Sequence, residues 1–128
     1  MFRIRSPFLF LVFLALFTPK LTAASCKWTY YKAGTNTGEI VVAGVSTPDA
    51  GFTLQTNTAI AVVWIMGDNG GVQSAPFGLT IDAKTGVWTG SLKGLTSGQA
   101  YNIIVQTPAV MGLNTQIISP PPQTATAK

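Results

Sequence analysis

The chain has 128 residues, 47% apolar and only 9% charged, with eight Lys/Arg against four Asp/Glu, one Cys and no His. That length suits one ordinary domain. Without His there is no Ser-His-Asp or Cys-His centre and no usual zinc site, and one Cys rules out an internal disulfide or a Cys-based metal cage.

Residues 1–25 read as a secretory signal. Arg3 and Arg5 supply the positive start, Phe8 to Phe17 is an unbroken apolar run, and Thr22-Ala23-Ala24-Ser25 offers small residues beside a cleavage site. A membrane span needs roughly 20 apolar residues, about twice that run. Cleavage before Cys26 removes both arginines and Lys20, leaving five lysines against Glu39, Asp49, Asp68 and Asp82. The basic balance therefore belongs mostly to the leader. Nucleic acid needs a basic face, and residues 26–128 have no Arg and no Lys cluster. Cys26, after Ala23-Ala24-Ser25, resembles a lipobox cysteine, which implies a lipid anchor as the only link to a membrane. A free thiol in an oxidising compartment is the other reading.

Beyond Cys26 no helical period holds, and short β-branched runs alternate with Gly, Thr, Ser, Asn and Pro. Strands are predicted over Trp28 to Lys32 and Glu39 to Val45, the second stopped by the turn cluster Ser46-Thr-Pro48-Asp-Ala-Gly51. Phe52 to Gln55 adds a short piece. Ala59 to Met66 is the strongest strand, apolar in both alternating sets, as a strand covered on both faces, or one partly hidden by a neighbour, would be. Asp68-Asn69-Gly70 forces a turn. Gly78 to Ile81, Val87 to Leu92, Ala100 to Thr107 and Leu113 to Ile118 follow. About seven strands in about 100 residues predict an all-β antiparallel sandwich over 26–118. Pro120-Pro121-Pro122 cannot join a ladder, so 119–128 is expected to be a Pro-rich flexible tail.

Two adjoining segments carry a family likeness. Pro76-Phe-Gly78-Leu79-Thr-Ile81-Asp82, followed by Thr85-Gly86-Val87-Trp-Thr-Gly90, resembles a stretch of the Ig-like and cadherin-like repeats of bacterial surface proteins. Its physical sense is a strand, a turn in which Asp82 bonds backbone amides and Gly86 supplies the bend, and a second strand. Leu95-Thr-Ser-Gly98-Gln-Ala-Tyr101 looks like the tyrosine corner of fibronectin type III and Ig-like sandwiches. The resemblance covers roughly residues 60–106. It implies that Leu95 and Tyr101 enter the core, and that Trp64 is the core tryptophan of such domains.

No catalytic residues can be assembled. A glycosidase needs two opposed carboxylates, and the four here sit near turns or strand ends. Ser91 and Ser97 have no histidine base, no phosphate cradle opens a helix, and Asp82 has too few neighbouring carboxylates for calcium. No metal and no cofactor is expected. The remaining candidates are aromatic: Trp28 and Tyr30, on one face of the first strand with Tyr31 opposite, and Trp88, which alternates with Val87. Exposed, they would stack on sugar rings; buried, they would cap a small core.

The sequence thus points to a non-catalytic Ig-like or fibronectin III-like sandwich, secreted or at the cell envelope. Adhesion or other protein–protein contact leads. A carbohydrate-binding domain taking polysaccharide through Trp28, Tyr30 and Trp88 is one alternative. A lipid-anchored envelope component, attached through Cys26, is another. Oligomeric state is left open.

Overall fold

β-Branched runs separated by turn residues can bury one face each only by stacking sheets, and that is how the chain resolves. A computed structural model describes residues 23–65 and 73–128. Residues 1–22 of the predicted signal (1–25) and the Asp68 turn lie outside the described residues, while Ser25 already begins the first strand. Ten strands form: β1 (Ser25–Ala33), β2 (Ile40–Thr47), β3 (Thr53–Leu54), β4 (Ile60–Ile65), β5 (Phe77–Gly78), β6 (Thr80–Ile81), β7 (Val87–Leu92), β8 (Ala100–Met111), β9 (Asn114–Ile118) and β10 (Gln123–Thr126). All pair antiparallel. The expected all-β sandwich is present.

Sheet one runs β1-β2-β7-β6, and sheet two runs β10-β8-β4-β5, with β3 and β9 also on β8. β8 is the spine of sheet two. Its first half pairs with β4 and β10, its second half with β3 and β9. Pro108 falls between the end of the β4 ladder at Gln106 and the start of β3 pairing at Ala109, where its carbonyl accepts from Gln55 N at 2.9 Å. Between the sheets, Ile40, Val42, Trp88 and Leu92 meet Ala61, Val63, Ile103 and Val105, all buried. Each large aliphatic side chain so buried stabilises by about 1.5–3 kcal/mol.

Both resemblance segments behave locally as their residues require. Asp82 Oδ1 accepts from the amides of Lys84 (2.8 Å) and Thr85 (3.3 Å), and Gly86 takes φ +78° and donates to Asp82 O (2.7 Å). At the entry to β8, the Tyr101 hydroxyl accepts from the Thr96 amide at 2.9 Å, closing a corner. Tyr101 is buried and Leu95 half-buried against the core.

Three expectations need correction. The predicted strand from Gly78 to Ile81 divides at buried Leu79, so β5 joins sheet two while β6 joins sheet one. That division and β10 account for most of the strands beyond seven. Ser46, expected in a turn, lies inside β2 with its side chain buried. The chain after the three prolines is no flexible tail. It returns as β10 along β8, and Lys128 O accepts from Gly38 N (2.8 Å) while Gly98 N donates to Ala127 O (2.9 Å). The prolines sit in the connection, where they need no ladder partner.

Candidate binding surfaces

Alternation along a strand decides which aromatic ring faces out, and a bulge resets it. Trp28 pairs with Gly44 but Tyr30 pairs with the adjacent Ala43, because the register slips between them. Trp28 and Tyr30 therefore point to opposite faces, against the expectation of a shared one. Trp28 turns inward beside Tyr31, ring centroids 5.3 Å apart, and meets Trp88 edge-on at 5.4 Å. Its Nε1 donates to Pro121 O at 2.6 Å, tying β1 to the β9–β10 connection. Two χ angles and one N–H are all used in closing the sandwich edge.

Trp88 is fully buried, 0% exposed, so it offers no ring to a ligand. Gly44, its partner across β2, makes that burial fit: a Cβ there would run into the Trp88 ring. Trp64, expected as the core tryptophan, is only half-buried. On β4 the inward residues are Ala61 and Val63, and Trp64 belongs to the other set. The core tryptophan comes from β7, not β4. An all-apolar strand gives no polar face by which to orient it, and that is why the sequence misplaced Trp64.

Trp88 also anchors a polar chain across the core. Its Nε1 donates to Ser46 Oγ (3.0 Å), Ser46 Oγ lies 2.7 Å from Thr107 Oγ1, and Thr107 Oγ1 donates to Ile118 O (2.8 Å). Thr107 has thus spent its proton, so Ser46 donates to it. Cys26 Sγ, 3.1 Å from Ser46 Oγ, must then be the donor in that contact. Burial pushes the Cys26 thiol up, against smaller lowering contacts from Ser46 and Trp88. Cys26 sits within β1, opposite Ser46, with its sulfur aimed at this chain. A thioether-linked lipid there would have to break the contact, and the geometry offers the anchor reading no support.

On the outer face of sheet one lies an open groove of about 500 Å³, lined by Tyr30, Val41, Thr80, Thr89, Ser91 and Lys93 among others. Lys32 Nζ stands 4.9 Å above the Tyr30 ring. Nearby, Glu39 accepts from the Asn36 amide (3.0 Å) and the Ser91 hydroxyl. The Ser91 bond, then the Asn36 one, hold its carboxyl below the usual range. Glu39 is thus committed to closing the β1–β2 loop. Among the described residues, no three His, Cys, Asp or Glu side chains gather to hold a metal.

Sheet two presents a different outer face. None of its strands contains Asp, Glu, Lys or Arg. Ile60, Val62 and Trp64 on β4 stand beside Gln106, Ile104 and Asn102 on β8, while Pro108 pairs with Ile117 and Val110 with Thr115. An antiparallel sheet facing water on one side alternates apolar with polar. Here the outward set is mainly apolar and half-exposed. The β8–β9 hairpin extends it with Ile117 (53% exposed), opposite Pro108, and a fully exposed Leu113. The sequence carried this signal in the double apolar pattern of β4, read there as burial on both faces.

No protein-family model matches the chain, and no curated protein matches it significantly.

Proposed function

We propose that the protein is a non-catalytic, secreted or cell-surface binding module that acts through protein–protein contacts. The observation that carries this reading is the uncharged, mainly apolar outer face of sheet two, continuous with Ile117 and the Leu113 tip. Contiguous apolar surface on a protein outside its core marks a contact site. Export rests on the apolar run from Phe8 to Phe17 behind two arginines. An Ig-like relation is part of the same proposal. The strand order β1-β2-β7-β6 against β4-β8-β9 parallels the A-B-E-D and C-F-G order of Ig constant sandwiches, and the Tyr101 corner stands where that order expects it. The test is a photo-activated cross-linker placed at residue 117 or, as control, at residue 89, in the protein as its own cells display it. Discrete adducts from 117 and none from 89 are expected. Equal, diffuse labelling from both positions would overturn the reading.

The sheet-one groove favours a second reading, a carbohydrate-binding domain, because Tyr30 there adjoins the hydroxyls of Thr80, Thr89 and Ser91. Retention on insoluble polysaccharides that Tyr30→Ala abolishes would establish it. Clean failure by a folded sample would end it.

A further inference from the structure

We propose that the partner for the outer face of sheet two is a second copy of this chain, the two faces packing against each other about a two-fold axis. The inference rests on the protein-contact reading and names its partner. A two-fold interface brings each residue near its own counterpart, so a face serves only if it tolerates itself. A charged sheet would oppose like charges unless both signs were interleaved. This face has no charge at all on its strands, while Lys27, Lys32, Lys93, Glu39 and Asp82 belong to sheet one or its loops, and Asp49 accepts from Gln116 Nε2 on β9 (2.6 Å) in the inward set beside Ala109.

Its polar groups are self-compatible too. Asn102 is already engaged by the Thr124 hydroxyl at 3.1 Å. Gln106, opposite Ile60, ends in a carboxamide that both donates and accepts, so two copies can satisfy each other.

The size allows a pair of modest area. β8 has 12 residues, so at ~3.4 Å each it is about 40 Å long. At any level β8 has one neighbour on each side, β4 then β3 and β10 then β9, so three strands at ~4.8 Å spacing give a width of about 14 Å. The outline is roughly 570 Å² per copy and about 1,100 Å² for the pair, just above the ~1,000 Å² that a specific interface needs. Trp64, Ile104 and Ile117 spread along it would supply the apolar contact. The face would then be dry in the dimer and half-wet in the monomer.

Sedimentation of the purified protein over a concentration series to about 100 μM, in reductant so that Cys26 cannot cross-link copies, tests this directly. A reversible dimer is expected. Gln106→Lys and Ile117→Lys, both at exposed positions, should each raise the dissociation constant at least tenfold, with Thr89→Lys on sheet one unchanged. Circular dichroism confirms that each variant is folded. A monomer throughout the series, or a dimer indifferent to both sheet-two substitutions, would overturn the proposal. A monomer that still gives residue-117 adducts with another protein ends self-pairing alone. A monomer with no such adducts ends the contact reading as well.

Discussion

The two sheets share one core but meet the outside on different terms. Sheet one carries lysines, hydroxyls and a tyrosine outward among Val41, Val45 and Val87, around an open groove. Sheet two carries isoleucine, valine, proline and tryptophan outward, with amides and threonines between. Its strands hold no charge, and exposed Ile117 and Leu113 extend it at the hairpin. Burial explains the inner set of each sheet. The proposed contact beyond the monomer accounts for the outer set of sheet two, and the reading rests on that contrast more than on any single residue.

The tryptophans offer the widest separation. Trp88→Ala removes a fully buried ring and should cost about 3–5 kcal/mol of stability by urea unfolding, whereas Trp64→Ala on the outer face should cost about 1 kcal/mol or less in the monomer. Equal losses would erase the distinction between inner and outer sets. Next comes the polar chain joining the sheets. Ser46→Ala strands the Trp88 N–H and removes the donor to Thr107, with an expected loss of about 1–3 kcal/mol. A negligible change would mean the chain does not pin the sheets together. Tyr101→Phe tests the corner that sets β8, and losing the hydroxyl that accepts from Thr96 should cost about 1 kcal/mol.

The smallest effect belongs to Glu39, at the rim of the sheet-one groove. Its pKa is lowered in the folded state, so its contribution is complete above the unfolded range near ~4.3 and is lost as pH falls through the folded value. Thermal midpoints should therefore drop for the native protein on acidification in that window. Glu39→Gln should flatten that part of the profile. A profile identical in both would remove Glu39 from the acid response.

Much of the fold was legible from local chemistry. β-Branched runs and turn residues gave the sandwich, Asp82 and Gly86 gave their turn, and the Leu95–Tyr101 stretch gave the corner. What escaped depended on pairing. One slipped position after Trp28 separates it from Tyr30, and nothing in Lys27-Trp-Thr-Tyr marks the slip. Trp88 looked free because it alternates with Val87, yet its burial is set by Gly44 on another strand. Ser46 and Thr107 read as turn or strand filler until the two sheets brought them within 2.7 Å. The last residues read as a tail because three prolines forbid a ladder where they stand, though not from Gln123, the very next residue.

One measurement bears on the central contrast without any substitution. Carbene footprinting of the protein in place on the cells that make it, compared with dilute purified protein, reports which side chains are covered. Protection of Trp64, Ile104 and Ile117, with Val87 and Thr89 labelled alike in both samples, is the expected result. Equal labelling of sheet two in both, or protection confined to sheet one, would contradict it.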